Sequence, residues 1–174
     1  MLRLCYNAGM TQPKHLAYSE PLIFLAMTRE DAGGIAAWRY PPPYDVYNPG
    51  PGEVETFLNP EYRYYSVRDS GGAVIAFRCF GEDARVPGGD YSFPALDMGG
   101  GLRPDLCGQG LGPRVMLAAI GFAREMFSPP AFRVTVAEWN LRAQKACAKA
   151  GYQPTQRFIA PHSGLAFFIF LRTV

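Results

Sequence analysis

The stretch Leu102-Arg-Pro-Asp-Leu-Cys-Gly-Gln-Gly-Leu-Gly-Pro-Arg114 decides how the rest of the chain is interpreted. A strand-like segment precedes it and a long amphipathic pattern follows, so it predicts a turn from a strand into a helix. Gly108, Gly110 and Gly112 let the backbone turn its N–H groups toward a ligand, and the helix start adds unpaired donors and a positive dipole end. The stretch predicts a cradle for a diphosphate, although glycines alone are equally consistent with a tight turn that binds nothing.

Two other phosphate-binding motifs do not fit this stretch. A Walker loop ends in Gly-Lys-Ser/Thr, whereas Pro113 and Arg114 follow Gly112 here. A Rossmann fingerprint needs G-x-G-x-x-G and an acidic residue at the end of the next strand, whereas the spacing here is G-x-G-x-G. The chain is also short for a six-stranded doubly wound domain, so both motifs are excluded.

Hydrophobic periodicity on both sides of the loop predicts alternating strands and helices. The clearest helix is Leu111–Phe127, whose apolar residues recur at spacings of three and four. A second helix is predicted over residues 141–150, with Asn140 as its N-cap. Thr28 and Asp31 resemble a capping box that starts a short helix reaching about residue 38. The order is β-α-α-β-β-β-α-β-α-β-β, a mixed α/β domain. A further helix is predicted over Glu53–Leu58, and strands over residues 22–27, 63–68, 73–80, 95–102, 132–136, 152–159 and 165–171.

Composition limits the classes of protein to consider. The chain has 174 residues, 48% of them hydrophobic, which suffices for one ordinary domain with a sizeable core. The formal net charge is +2, so no basic field favours nucleic acid as a partner. Four widely spaced cysteines without a C-x-x-C pair and only two histidines suggest neither a metal site nor a disulfide framework.

The sequence also predicts the cellular location of the protein and the limits of its domain. No apolar run is long enough to span a bilayer, and residues 1–20 lack the hydrophobic region of a signal peptide. Free thiols fit a reducing compartment, so a cytoplasmic protein without membrane contact is expected. Residues 1–19 have no regular pattern and are predicted to be a flexible leader, followed by one domain over residues 20–174.

Two motifs resemble the GNAT superfamily of acyl-CoA-dependent N-acyltransferases. Cys107-Gly-Gln-Gly-Leu-Gly112 matches the R/Q-x-x-G-x-G/A loop of that family except at its first position. Asn140-Leu-Arg-Ala-Gln-Lys-Ala-Cys-Ala-Lys-Ala-Gly-Tyr152 resembles its Asn-led final helix that ends in Gly-aromatic. The likeness spans about residues 20–172, and a Trp-x-Tyr…Pro-Tyr-x-x-Tyr pattern resembles a bacterial subgroup of unassigned substrate. The implied fold is a single GNAT-like domain with a mixed, mainly antiparallel sheet, flanking helices and splayed central strands.

The resemblance implies that acetyl-CoA binds along the strand that ends at Leu102 and across the glycine loop. The strand would pair with the pantetheine arm and the loop would hold the diphosphate, while Arg103, Arg114, Lys145 and Lys149 could favour the negative charge or be ordinary solvated surface. Asn140 could contact the cofactor or simply cap its helix. No metal is implied. The residues implied to bind the cofactor are Gly100, Gly101, Leu102, Cys107, Gly108, Gln109, Gly110, Leu111, Gly112, Asn140 and Lys149.

The implied reaction is direct transfer of an acetyl group to a primary amine in a ternary complex. A carboxylate would take the proton from the amine, with Asp97 as first candidate and Glu138 as second, and a backbone N–H near Leu102 could meet the oxyanion. The family often has a Tyr seven residues after the Asn to help the thiolate leave, and Cys147 stands there. The Cys147 thiol could donate a proton, or it could be a buried core cysteine.

The acceptor is expected to be a small-molecule or peptide amine. Trp38, Tyr44 and Tyr47 are the candidates for its pocket. Packing against the core is the favoured alternative for Trp38, whereas the hydroxyl groups of Tyr44 and Tyr47 can meet a polar ligand. The apolar residues 167–170 are consistent with a homodimer and also with burial inside the monomer. The departure at Cys147 leaves two alternatives open: a non-catalytic sensor that binds acyl-CoA, and a structural domain without a ligand.

Overall fold

The computed structural model describes residues 20–174, and the predicted flexible leader at residues 1–19 lies outside the described residues. Each strand and helix expected from the hydrophobic pattern has a counterpart, in the predicted order. The strands are β1 (Ile23–Ala26), β2 (Tyr65–Arg68), β3 (Val74–Phe80), β4 (Leu96–Leu102), β5 (Ala131–Ala137), β6 (Gln153–Ile159) and β7 (Ala166–Thr173). The helices are α1 (Arg29–Ala36), α2 (Glu53–Leu58), α3 (Leu111–Phe127) and α4 (Leu141–Lys149).

Small differences from the expected boundaries have local causes. Strand β2 begins at Tyr65 rather than at residue 63, because Arg63 adopts a left-handed conformation with φ 50° that ends a short 3₁₀ turn. Helix α1 ends at Ala36, and the Trp38 N–H closes its last turn on the Ile35 carbonyl at 2.9 Å. The predicted cap is present, since the Asp31 N–H donates to Thr28 Oγ1 at 3.1 Å.

The seven strands form one sheet in the order β1-β2-β3-β4-β5-β7-β6. All neighbours are antiparallel except β4 and β5, which run parallel. These two strands pair only at Leu96 with Phe132 and at Asp97 with Arg133, although each continues for five or four further residues. Beyond Asp97 the sheet therefore splits. The predicted mixed, mainly antiparallel sheet with splayed central strands is confirmed.

Helices cover both faces of this sheet. Helices α3 and α4 pack on one face, where Met116, Ile120 and Cys147 join strand residues such as Phe80 and Phe132 in the main core. Helices α1 and α2 cover the other face near β2 and β3 with a smaller cluster that includes Ile35 and Phe57. None of the helices within residues 20–174 is long and apolar enough to cross a membrane.

Gly100 is needed where β4 crosses β3 beside the split. Its φ is +141°, and a Cβ at this position would overlap the Phe77 carbonyl oxygen and lie 2.9 Å from Arg78 Cδ. A side chain would therefore be strained by the backbone conformation and would also push β3 and β4 apart.

We expect Gly100→Ala to lower the free energy of unfolding by about 2 kcal/mol or more, because backbone strain and overlap act together. Gly121→Ala is the matched control. Gly121 lies inside α3 with no atom within 4 Å of an added Cβ, so this change should stabilise the protein by about 0.5–1 kcal/mol. Urea denaturation followed by circular dichroism measures both. Equal effects of the two substitutions would contradict the role assigned to Gly100.

Candidate functional site

A cavity of about 440 Å³ opens between the diverging strands β4 and β5 and is closed by the start of α3 and by α4. Its size is that of a small-molecule or cofactor site. Along β4 the edge that faces β5 has no strand partner after Asp97. Its backbone N–H and C=O groups are therefore available to an extended ligand, in the way that a sheet edge accepts a further strand.

Most of the residues predicted to bind the cofactor meet at this cavity. Gln109 and Leu111 do not line it: the Gln109 amide donates to the Asp105 carbonyl at 2.7 Å, and the Leu111 side chain is buried in the core. Predicted cofactor-binding residues that line the cavity are Gly100, Gly101, Leu102, Cys107, Gly108, Gly110, Gly112, Asn140 and Lys149.

The glycine loop has the geometry of an anion cradle. Gly108 and Gly110 have φ of +80° and +81°, and no atom lies within 4 Å of a Cβ built at Gly108. Their N–H groups donate to no other residue in the described part of the chain, whereas the neighbouring Cys107 N–H is used in a turn to Pro104. Helix α3 begins directly after Gly110 and has no acidic residue in its first turn, so its positive end is not neutralised locally.

Three cationic side chains, Arg142, Lys145 and Lys149, line the α4 side of the cavity. All three are exposed. Arg142 lies over the Tyr44 ring, so Lys145 and Lys149 are the two whose positive charges we expect to face a ligand's phosphates. Arg103 and Arg114 have other contacts: Arg103 forms an ion pair with Asp105 at 2.7 Å, and Arg114 donates to the Glu20 carbonyl.

The segment 40–47 closes the mouth of the cavity with aromatic rings. The Tyr40 hydroxyl donates to the Leu102 carbonyl at 2.9 Å, so this segment is attached directly to the end of β4. Tyr44 and Tyr47 both pack against Trp139, at ring distances of 5.4 and 5.5 Å, and the Arg142 guanidinium lies over the Tyr44 ring. Tyr44 and Tyr47 line the cavity, as expected of residues that bind a substrate.

Asn140 serves as a cap and also faces the aromatic segment. Its Oδ1 accepts from the Ala143 N–H at 3.1 Å, which confirms the predicted N-cap of α4. Its Nδ2 donates to the Tyr47 hydroxyl at 3.2 Å, and burial raises the pKa of Tyr47. The side chain therefore links the start of α4 to the mouth of the cavity.

Trp38 does not reach the cavity. Its ring packs at 6.0 Å from Phe77, in the cluster formed by α1, α2 and the far side of β3. The sheet therefore separates Trp38 from the α3 and α4 side, where the glycine loop lies. The geometry favours the packing alternative for this residue.

Asp97 forms a buried ion-pair network at the point where β4 and β5 separate. It is 2% exposed, and Arg133, which is 1% exposed, donates to it from Nε at 2.5 Å and from Nη2 at 2.9 Å. Arg85 Nε adds a third bond at 2.7 Å. Asp97 does not line the cavity, and its two oxygens already accept hydrogen bonds from two guanidinium groups, so the geometry favours a structural role for this carboxylate.

Glu138, the second candidate base, also lies outside the cavity lining. It follows β5 and forms a bidentate pair with Arg157, at 2.7 and 2.9 Å. The hydrogen bond from Arg157 lowers the pKa of the Glu138 carboxyl, which weakens it as a base. No Asp or Glu of residues 20–174 lines the cavity.

Cys147 does lie at the cavity, at the inner end of α4. Its side chain is buried in the main core, and this burial raises the pKa of its thiol to about 11. A thiol that is neutral near pH 7 is a poor nucleophile and a weak acid, so the geometry favours a packing role.

Sequence reasoning missed two cationic residues of the cavity, Arg142 at the start of α4 and Arg78 in the centre of β3. Arg78 is the more unusual of the two. It lines the inner end of the cavity and is 9% exposed. The only sequence signal is an arginine within the otherwise apolar run Val74–Phe80. Such a residue is unusual, since arginine is almost never buried without a partner.

The fold is similar to that of several solved acetyltransferase structures. An acetyltransferase of the GNAT family from Bacillus anthracis has a TM-score of 0.71 at 12% identity, over 88% of this chain and 95% of that one. An aminoglycoside acetyltransferase in complex with coenzyme A has a TM-score of 0.68 at 16% identity, over 87% and 94%. A spermidine N-acetyltransferase chimera from Vibrio cholerae and hSSAT has a TM-score of 0.68 at 16% identity, over 87% and 95%.

No protein-family model matches the chain, and no curated protein matches it in sequence. At identities of 12–16% the structural likeness establishes the fold, which is that of the GNAT acetyltransferases. The resemblance inferred from the glycine loop and the Asn-led helix is therefore confirmed at the level of the fold.

Substitution of Asp97 can distinguish a structural role of this residue from a catalytic one. We expect Asp97→Asn to lower the free energy of unfolding by about 3–5 kcal/mol, because it leaves the buried Arg133 charge uncompensated. Glu138→Gln, which breaks an exposed pair, should cause no measurable loss in the same urea titration. A fully stable Asp97→Asn protein that has lost turnover would instead support Asp97 as the base.

Proposed function

We propose that this chain is a GNAT N-acetyltransferase that moves an acetyl group from acetyl-CoA to a primary amine by direct transfer in a ternary complex. The observation that carries the proposal is the combination of an unpaired β4 edge with an open glycine cradle at its end. A linear ligand with an amide-rich arm and a diphosphate is complementary to both features, because the edge offers backbone groups and the cradle offers N–H donors.

The donor would lie along β4 with its phosphates toward α3. The N–H groups of Gly108 and Gly110 would hold the diphosphate, and Lys145 and Lys149 would add positive charge. Backbone groups between Gly100 and Leu102 would bind the pantetheine arm. The thioester would then lie deeper in the split, near Cys147 and Arg78.

The amine must lose a proton before it attacks the thioester carbonyl. With no carboxylate lining the described cavity, we propose that a water molecule takes this proton and passes it to bulk solvent. A backbone N–H of β4 near Leu102 would stabilise the oxyanion, and CoA would leave as the thiolate. Tyr44 and Tyr47 would exclude water from the other side of the acceptor.

The acceptor would be a small-molecule amine. Solved structures of the same fold are named as spermidine and aminoglycoside acetyltransferases, which supports an amine acceptor in general. The second candidate function is a sensor that binds acyl-CoA without turnover. It is favoured by the buried, neutral Cys147 at the position of the family Tyr and by the lack of a lining carboxylate among residues 20–174.

A thiol-release assay separates these two functions. With acetyl-CoA and a panel of primary amines, an acetyltransferase should release CoA thiol well above the amine-free background, because amine attack expels the thiolate. Acetyl-CoA binding is measured in parallel by isothermal titration calorimetry. Tight binding without turnover on the whole panel would favour the sensor, and no binding would contradict both functions.

The cradle can be tested by adding methyl groups to it. We expect the double change Gly108→Ala and Gly110→Ala to weaken acetyl-CoA binding about 10-fold or more, because it alters the two N–H donors aimed at the diphosphate. Gly164→Ala is the matched control. Gly164 also has a positive φ, +67°, and open space around an added Cβ, but it lies in the turn between β6 and β7. An equal loss of affinity in the control would contradict the cradle.

A further inference from the structure

Arg78 is a buried cation at the inner end of the cavity. It lies opposite Gly100 in the β3–β4 register, and its Cδ would lie 2.9 Å from a Cβ at Gly100, so the side chain passes over a glycine. Its residue exposure is 9%, and it lines the cavity together with Met98 and Cys147. The absence of a side chain at Gly100 therefore leaves room for a guanidinium at the wall of the cavity.

This guanidinium has no hydrogen-bond partner within residues 20–174, and its Nε is buried and unsatisfied. The other buried charged side chains have ion-pair partners: Arg133 is paired with Asp97, and Asp31 is paired with Arg68. The contrast shows that the fold supplies partners to buried charges elsewhere but not to Arg78.

The surroundings of Arg78 supply no negative charge. The ionisable groups that act on it electrostatically are Tyr40, Cys79, Cys147 and Tyr152. Burial raises the pKa of the Cys79 thiol to about 12 and that of Cys147 to about 11, and it raises the pKa of both tyrosines, so all four are neutral near pH 7. Burial lowers the pKa of the Arg78 guanidinium, as expected for an uncompensated cation.

A buried, unpaired charge destabilises the free protein, and such features persist where a ligand supplies the partner. The guanidinium fork matches a planar carboxylate, with which it forms two parallel hydrogen bonds. The phosphates of the donor would lie at Gly108 and Gly110, beyond the end of β4, whereas Arg78 lies opposite Gly100 inside the sheet. They would therefore leave Arg78 without a partner.

We propose, building on the acyltransferase function, that Arg78 binds a carboxylate carried by one of the two reactants. The carboxylate has two sources: an acceptor that is an amino acid, or a transferred acyl group that ends in a carboxylate, as in succinyl-CoA. In both cases the reactant is anionic next to the reacting centre. A polycationic amine is disfavoured, because the lining described for the cavity carries Arg78, Arg142, Lys145 and Lys149 and no acidic side chain.

Paired ligands that differ by one carboxylate distinguish the two sources. Calorimetry compares succinyl-CoA with acetyl-CoA, and, in separate titrations with and without CoA, the twenty amino acids with their carboxamides. Arg78→Met should weaken the binding of the carboxylate-bearing member of one pair by about 10- to 100-fold and leave the affinity for the member that lacks this carboxylate unchanged. Arg78→Lys should recover only part of the loss, because an ammonium lacks the fork.

The control variant is Arg124→Met, which removes an exposed cation from the last turn of α3 and should leave every affinity unchanged. A loss confined to succinyl-CoA identifies the donor as the source, and a loss confined to the amino acids identifies the acceptor. The proposal is overturned if wild-type protein does not prefer the carboxylate-bearing member of either pair, or if Arg78→Met weakens both members equally.

Stability provides an independent readout. Without ligand, Arg78→Met should leave Tm unchanged or raise it, because methionine removes an unpaired buried charge and keeps most of the volume. A marked fall in Tm would show a structural role and overturn the proposal. The affinities for acetyl-CoA and succinyl-CoA, measured on the same samples, report separately on the proposed function. If neither thioester binds, the acyltransferase function fails, while the amino-acid titrations without CoA still test Arg78.

Discussion

The arrangement of the site depends on the incomplete pairing of β4 with β5. Two parallel strands that remained paired along their whole length would leave no room between them and no free backbone groups. Here Asp97 and Arg133 hold the strands together at one end, and the pairing stops there. Gly99, Gly100 and Gly101 then carry β4 past the split without side chains, so the strand edge borders the cavity directly.

The buried charges of the described domain fall into two groups with different consequences. Asp31, Asp97 and Arg133 have their partners within the protein, and they fix the positions of neighbouring strands. Arg78 has none among residues 20–174 and lies in the cavity. Paired buried charges of this kind favour one arrangement of the chain over others. An unpaired buried charge lowers the stability of the free protein, and the proposed ligand carboxylate explains why Arg78 is present.

Local signals in the sequence were sufficient for the element order and for the glycine turn that leads into α3. Periodicity gave the limits of α3, and the Asn140 cap gave the start of α4, because both depend on residues only a few positions apart. The roles of Asp97 and Arg78 could not be predicted in this way. Arg133, which pairs with Asp97, is 36 residues away in the sequence. Arg78 is unpaired because none of the described elements around it supplies a hydrogen-bond partner, and a local pattern does not show this.

The buried pair of Asp97 and Arg133 also constrains how this sequence can diverge. Because loss of either member leaves the other buried charge without compensation, we expect single replacements to be selected against, while replacement of the whole pair by apolar residues should be tolerated. The two positions should accordingly change together during evolution. Their joint presence would mark common descent among distant homologues even where the rest of the sequence has drifted beyond recognition.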